Sequence, residues 1–109
     1  MDTLAAPAVL RQVALNSFRQ DGEGKWMHKN DRRTMVRDPI DGWPLLSRIR
    51  CPALYVRPAS SPMPRDYAEQ IAAKIPGGRL TIVPDAHHHV QLDNPSGSIS
   101  ALREFFNQL

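Results

Sequence analysis

The sequence is poor in cysteine and in long apolar runs, and both shortages exclude whole classes of protein. Its single cysteine, Cys51, excludes an internal disulfide framework and is typical of the reducing cytoplasm. No apolar run reaches the roughly 18 residues of a transmembrane helix. Residues 1–4 also lack the basic patch and the apolar stretch with which a secretory signal begins. We therefore expect a cytoplasmic protein with no membrane partner.

Charge of one sign is scarce as well. The 109 residues include 14 Lys and Arg against 11 Asp and Glu, and the formal net charge is +3. So small a surplus does not indicate a nucleic-acid partner. With 41% hydrophobic and 23% charged residues, the composition is ordinary for one globular domain with a modest core.

The first part of the chain, residues 1–42, predicts a lead-in with little regular structure. Apolar side chains recur every four residues at Leu10, Ala14 and Phe18, which predicts a short helix over residues 8–18. Beyond this helix the apolar residues show no clear period, and we expect a loop with one helical turn.

The second part, residues 43–109, predicts a strand, a helix, a second strand and a final helix. Short apolar runs predict the strands at residues 53–57 and 80–83, and an amphipathic pattern predicts a helix over residues 65–75. Asn94, followed by proline, is the expected N-cap of the last helix. The residues expected on the buried face of that helix are Ile99, Leu102, Phe105, Phe106 and Leu109. Such a strand–helix–strand unit is normally parallel, so the predicted fold class is α/β.

A sheet of only two parallel strands presents a physical difficulty. Parallel sheets are usually larger and are covered on both faces. The first strand would keep an open edge, and open edges pair with other strands. We expect one of three solutions: the first half covers the edge, the chain dimerises, or the strands belong to a larger sheet.

Two segments of the second part resemble a known family. The segment at residues 43–57 reads WPLLSRIRCPALYVR and resembles the entry to the penultimate strand of α/β-hydrolases. The segment at residues 84–95 reads PDAHHHVQLDNP and resembles the PGAGHxVxLDNP segment that carries that family's catalytic histidine. The closing helix, with Phe105 and Phe106, is similar to the family's last helix. The resemblance covers residues 43–109 and implies the C-terminal part of an α/β-hydrolase parallel sheet.

The resemblance places His88 at the position of the catalytic histidine. In the family this residue is the general base for a serine, aspartate or cysteine nucleophile. An imidazole whose pKa lies near neutrality can both take and return a proton. His87 stands where the family pattern has glycine, and His89 stands at a variable position. Without the resemblance, three adjacent histidines are more typical of an exposed polar loop than of a catalytic site.

Three adjacent histidines also raise the question of a metal. A zinc site needs about three protein ligands that converge on one point. Neighbouring residues of an extended loop point to opposite sides, so His87 and His89 could share a face that excludes His88. No cysteine or acidic cluster has a matching spacing. We predict no metal and no cofactor.

The other members of a catalytic triad are missing from the sequence. In the resembled family an acid commonly follows the penultimate strand, where this chain has PASSPMP at residues 58–64. Neither Ser60 nor Ser61 can orient an imidazole as a carboxylate does. The family's nucleophile elbow, G-x-S-x-G or G-x-D-x-G, does not occur in the 109 residues. A serine that meets His88 without elbow, acid or oxyanion donors would be a poor catalyst.

The aspartates of this region have structural interpretations. Asp66 falls in the first turn of a predicted helix, where a carboxylate is favourable. Asp85 is close to His88 in sequence, but the family has no acid at that position. Asp93 lies beside the start of the final helix, and we expect a structural role for it. Some family members take the acid from one strand earlier, and that strand is not visible in this chain.

These observations predict a single partial α/β-hydrolase domain over residues 1–109, with residues 1–42 as its lead-in. The resemblance implies hydrolysis of an ester, epoxide, carbon–halogen or carbon–carbon bond, with His88 as the catalytic residue. The chain would be inactive alone and would meet a small-molecule substrate only when completed by the missing N-terminal part. The alternative is a non-catalytic small domain that associates, with itself or with another chain, through its exposed strand edge.

Overall fold

The computed structural model describes residues 2–36 and 40–109, which form two compact units. The hairpin unit is Ala6–Ile40, and the sheet unit is Asp41–Leu109 together with the first residues up to Ala5. The expectation that residues 1–109 are one partial domain stays a prediction. Within the described ranges, no helix has the length and apolar composition that a membrane span requires.

In its described residues, the hairpin unit contains one helix, one antiparallel strand pair and one 3-10 turn. Its elements are α1 (Pro7–Ser17), β1 (Phe18–Gln20), β2 (Trp26–His28) and the 3-10 turn Arg32–Met35. Pro7 lies in the first turn of α1, where its missing N–H costs nothing. The predicted helix and the single helical turn are therefore confirmed, apart from one residue at each end of α1.

The hairpin itself was not predicted, and Phe18 was wrongly placed in the helix. Phe18 begins β1 and pairs with His28 of β2. The turn between the strands is closed by Asp21, whose carboxylate accepts the backbone N–H groups of Glu23 (3.0 Å) and Lys25 (2.9 Å). Strands of three residues are too short to show the apolar alternation that predicts a strand.

The sheet unit has the predicted order of strand, helix, strand and helix. Its elements are α2 (Trp43–Leu46), β3 (Leu54–Pro58), α3 (Arg65–Lys74), β4 (Arg79–Val83), α4 (Val90–Asp93) and α5 (Pro95–Phe106). Strands β3 and β4 are parallel, from the pair Leu54 and Arg79 to the pair Pro58 and Val83. The short helices α2 and α4 fall outside that predicted order.

The main core cluster of the sheet unit is small and consists of the buried residues Val83, Ala86 and Ala101, with Val56 packed against them. Helix α3 buries Ala68 and Ala72 as well. A Cβ atom added at Gly97 would lie 2.7 Å from Cγ1 of Val83. Glycine at this position therefore allows the start of α5 to approach β4 closely.

The sequence predicted the start of α5 correctly but its buried face wrongly. The side chain of Asn94 accepts the N–H of Gly97 (2.8 Å), as expected of an N-cap. The buried face consists of Ser98, Ala101 and Phe105. The other predicted core residues are exposed: Ile99, Leu102, Phe106 and Leu109. The small side chains of Ser98 and Ala101 allow the helix to approach the sheet, and Phe105 is the large side chain on that face.

Candidate functional site

The histidine loop, residues 84–89, leaves the carboxyl end of β4. Asp85 has a backbone φ of 47°, in the left-handed region, at the position where the family pattern has glycine. Aspartate is among the few residues that tolerate this conformation. After it, Ala86 is fully buried while His88 is exposed. The turn therefore returns the backbone to the core and leaves the central histidine at the surface.

The loop that follows β3 lies beside the histidine loop, as the parallel topology predicts. The N–H of Ala59 donates to the carbonyl of Val83 (2.8 Å). One residue later, the N–H of Ser60 donates to the carbonyl of Ala86 (3.0 Å). Backbone hydrogen bonds thus join the two loops at the carboxyl edge of the sheet.

A buried arginine organises the loop after β3. Arg57 is only 8% exposed, and its guanidinium donates to the carbonyls of Pro58 (2.9 Å), Ala59 (3.2 Å) and Met63 (2.8 Å). The carbonyl of Ser61 lies at 3.5 Å. The Nε atom of Arg57 is buried without an acceptor in the part of the chain that the structure describes. Sequence reasoning missed this role, because Arg57 reads only as the polar end of an apolar strand.

The two serines of this loop are placed near the histidine loop but are not joined to its central residue. The Ser61 hydroxyl accepts the N–H of Met63 (3.2 Å), so it takes part in the turn itself. Among the described residues, no hydrogen bond connects a side chain of Ser60 or Ser61 with His88. The structure therefore gives these serines a structural setting.

The imidazole of His88 has an aromatic neighbour but no carboxylate partner among the described residues. Its ring lies 4.8 Å from the ring of His89, in an edge-to-face arrangement. Asp66 lies in the first turn of α3, as predicted. No group of three His, Cys, Asp or Glu side chains in the described ranges is arranged to hold a metal ion.

The carboxylate of Asp93 joins the histidine loop to the first residues of the chain. Its Oδ1 accepts the hydroxyl of Thr3 and the backbone N–H of Leu4 (2.8 Å), and its Oδ2 accepts the N–H of His87 (2.8 Å). The hydrogen bond from the Thr3 hydroxyl is the largest cause that lowers the pKa of this carboxyl. The N–H groups of His87 and Leu4 lower the pKa further, against an opposing effect of partial burial. Sequence reasoning expected a structural residue here but not these partners.

Comparison with known proteins identifies the fold. No family model matches the sequence, and no curated protein matches it. A solved structure of E-2-(acetamidomethylene)succinate hydrolase is similar to this chain with a TM-score of 0.76 and 19% sequence identity. The match covers 94% of this chain and 40% of that one, so this chain spans well under half of the solved protein.

At this level of identity the likeness establishes the fold. The chain has the fold of a C-terminal part of an α/β-hydrolase. The fold class predicted from the two resembling segments is therefore confirmed.

Proposed function

We propose that this chain supplies the general base of an α/β-hydrolase whose remaining parts lie outside these 109 residues. The observation that carries the proposal is the position of His88. It lies in the loop that leaves the last strand, at the carboxyl edge of a parallel sheet with the C-terminal fold of an α/β-hydrolase. Catalytic groups of open α/β sheets gather at that edge.

His88 is suited to this role by its exposure. In the described ranges no hydrogen bond occupies its imidazole, so both ring nitrogens are free to meet a nucleophile or a water molecule. A neutral imidazole takes a proton at one nitrogen and returns it to the leaving group in the next step. In a complete site, a carboxylate from outside this chain would hold the other nitrogen.

The reaction class is hydrolysis, and the substrate is a small molecule. The similar solved protein is named a hydrolase of E-2-(acetamidomethylene)succinate. We take from it the reaction class, while the bond type stays open among esters, epoxides, carbon–halogen bonds and carbon–carbon bonds. Cys51 is a free, exposed thiol, which supports a reducing, cytoplasmic setting for the protein.

The chain alone should be inactive, because it has no nucleophile elbow. We expect no turnover of p-nitrophenyl acetate above background by the purified chain. Turnover that disappears in His88→Ala but survives in His87→Ala and His89→Ala would contradict the proposal of an incomplete site. The two flanking variants are matched controls, since they remove imidazoles from the same loop.

The positive test is completion of the site. Where the reading frame upstream encodes a G-x-S-x-G or G-x-D-x-G segment, its product is co-expressed with this chain. We expect the pair to hydrolyse p-nitrophenyl acetate and His88→Ala to lower kcat at least about 100-fold. An active pair that is insensitive to His88→Ala would overturn the role of His88.

A second candidate function, association through the sheet edge, is favoured by the geometry of β3. In the described part of the chain, β3 has a neighbouring strand on one side only. The carbonyl of Ala53 and the N–H of Ala59 point toward β4, where they bond Arg79 and Val83. Alternation along the strand then directs the backbone groups of the even-numbered residues outward. These residues are Leu54, Val56 and Pro58. Proline has no N–H, and its carbonyl already accepts from Arg57 (2.9 Å).

Exposed apolar side chains at the end of α5 and just beyond it also favour association. Phe106 is 63% exposed and Leu109 is 66% exposed, although the sequence predicted both for the core. Light scattering on a sizing column, with circular dichroism on the same peak, tests this candidate. A folded dimer that dissociates in Leu54→Pro or in Phe106→Asp would support it. A folded monomer at all concentrations would exclude self-association.

A further inference from the structure

The two residues on either side of His88 are both bonded to Asp93. The N–H of His87 donates to Oδ2 of Asp93 at 2.8 Å. The carbonyl of His89 accepts the backbone N–H of Asp93 at 3.0 Å and that of Leu92 at 2.8 Å. A single residue therefore holds the histidine loop immediately before and immediately after its exposed imidazole.

The second carboxylate oxygen of Asp93 is bound to the other end of the chain. Thr3 donates its hydroxyl to Oδ1, and its oxygen accepts the N–H of Ala5 at 3.2 Å. Leu4 adds its backbone N–H to the same Oδ1 at 2.8 Å. With donors on both oxygens, the carboxylate cannot rotate without breaking a hydrogen bond. The positions of Thr3 and Leu4 are thereby coupled to the backbone next to His88.

We propose that Asp93 is a positioning residue for His88, and that Thr3 and Leu4 lock its carboxylate in the required orientation. The proposal rests on the proposed function, in which His88 is the general base. Without the carboxylate, the N–H of His87 has no acceptor, and the loop is free to change conformation. A general base must stay within hydrogen-bond reach of the proton it removes, so such freedom lowers the fraction of productive sites.

The distinction from a merely structural role is local. A structural residue stabilises the whole sheet unit, so its loss would loosen every nearby hydrogen bond alike. A positioning residue controls the hydrogen bond next to His88 that its side chain accepts, which here is the bond from the N–H of His87. The N–H of Ser60, which bonds Ala86 at 3.0 Å, is a suitable reference because Asp93 takes no part in that bond.

The experiment is native-state amide exchange and imidazole NMR on the ¹⁵N-labelled full chain. In Asp93→Asn, one acceptor oxygen becomes an NH₂ donor. The side chain can then no longer accept hydrogen bonds both from His87 and from Thr3 and Leu4. We expect exchange at His87 to accelerate about tenfold, with Ser60 changing less than about threefold. The carbon-bound imidazole protons of His88 should shift as well. Asp93→Glu, which keeps both acceptor oxygens, should restore part of the protection.

The hydrogen bond from Thr3 to Asp93 is tested separately from the hydrogen bond between Asp93 and His87. Thr3→Val keeps the shape of the side chain and removes its hydroxyl, and should move the His87 exchange rate and the His88 resonances in the same direction as Asp93→Asn, by less. Ser96→Ala is the matched control, because the hydroxyl of Ser96 donates to Asn94 (3.0 Å), the neighbour of Asp93 in sequence, and not to Asp93 itself. The control should leave both observables unchanged.

Two results would overturn the proposal. Equal acceleration at His87 and Ser60 would show a global role for Asp93. Unchanged His88 resonances in both Asp93→Asn and Thr3→Val would show that the conformation of the histidine loop does not depend on the hydrogen bonds of the Asp93 carboxylate. No readout uses activity, so failure of the positioning role is distinguishable from failure of the catalytic role of His88, which the completed pair measures.

Discussion

The hairpin unit and the sheet unit are held together in opposite ways. No described side chain of the hairpin unit is buried, and its bonds join residues close in sequence, such as Asp21 with Glu23 and Lys25. The sheet unit buries Val83, Ala86 and Ala101 and ties Thr3 to Asp93 across the length of the chain.

The difference shows where the free energy of folding arises. Burial of apolar surface is the main favourable contribution, and only the sheet unit achieves it among the described residues. The large apolar side chains of the hairpin unit are exposed instead: Val9, Val13, Leu15, Phe18, Trp26, Met27, Val36 and Ile40. Its stability therefore depends on whatever covers these residues, whereas the sheet unit has a core of its own.

The largest effect is expected at Arg57. Arg57→Ala removes the donors to the carbonyls of Pro58, Ala59 and Met63, of which Pro58 keeps the N–H of Ser61 (3.3 Å). The free energy of unfolding should therefore fall by about 3 kcal/mol. Urea unfolding followed by circular dichroism measures the change. Arg65→Ala is the control, since that guanidinium is exposed and its one ion pair among the described residues is with Glu69 on the same helix. Equal losses from the two variants would contradict a special role for the buried arginine.

A pair of apolar truncations compares the two units directly. Val83 is 2% exposed and Trp26 is 58% exposed. We expect Val83→Ala to cost about 2 kcal/mol of unfolding free energy and Trp26→Ala less than about 0.5 kcal/mol, despite the larger side chain removed. A large loss from Trp26→Ala would mean that the hairpin unit buries this ring in solution and would break the contrast.

A pair of glycine substitutions sharpens the comparison. Gly97→Ala forces a methyl group against Val83 and should destabilise the chain by about 1–2 kcal/mol. Gly22 in the hairpin turn has nothing within 4 Å of an added Cβ. Gly22→Ala should therefore leave the unfolding midpoint unchanged. If Gly97→Ala is equally neutral, α5 does not approach β4 as closely as described.

The smallest effect concerns two aspartates whose pKa values are lowered for different reasons. The pKa of Asp31 in the hairpin unit is lowered by the Arg33 side chain, with which it forms an exposed ion pair at 2.8 Å. The pKa of Asp93 is lowered by the hydroxyl of Thr3, a neutral donor. Salt screens exposed charges, so about 1 M salt should raise the pKa of Asp31 toward its ordinary value and leave that of Asp93 lowered. Carboxyl ¹³C titrations at two salt concentrations measure both.

The sign of the pH dependence follows from the direction of the shift at Asp93. A pKa that is lower in the folded than in the unfolded chain adds stability at all pH values above the ordinary aspartate range. That contribution is lost as the pH falls below about 4 and passes through the folded value. Protection of the His87 amide from exchange should disappear in the same pH range. Protection that persists after the carboxyl has titrated would contradict the positioning role of Asp93.

The sequence predicted the elements that depend on local patterns and missed those that depend on distant contacts. Apolar runs located β3 and β4, and Asn94 located the start of α5, because these signals lie in neighbouring residues. The buried face of α5 was wrong because Ala101 and Ser98, although less apolar than Leu102, are small enough to face the sheet. Helix α4 is a single turn and shows no period.

The candidate site divides along the same line. The position of His88 after the last strand could be predicted from the segment at residues 84–95. The partners of Asp93 could not, because Thr3 and Leu4 are far away in sequence and have no pattern in common with it. The loop-holding role of Arg57 depends on carbonyl groups, which every residue carries.

Pro58 gives the open edge of β3 a direction. A strand added there would find backbone donors at Leu54 and Val56 but none at Pro58, so the ladder would weaken toward one end. That end is the carboxyl end of β3, where the loop that follows β3 begins. An added strand would thus form backbone hydrogen bonds along the first part of β3 and lose them at the carboxyl edge of the sheet, on the side where the histidine loop lies.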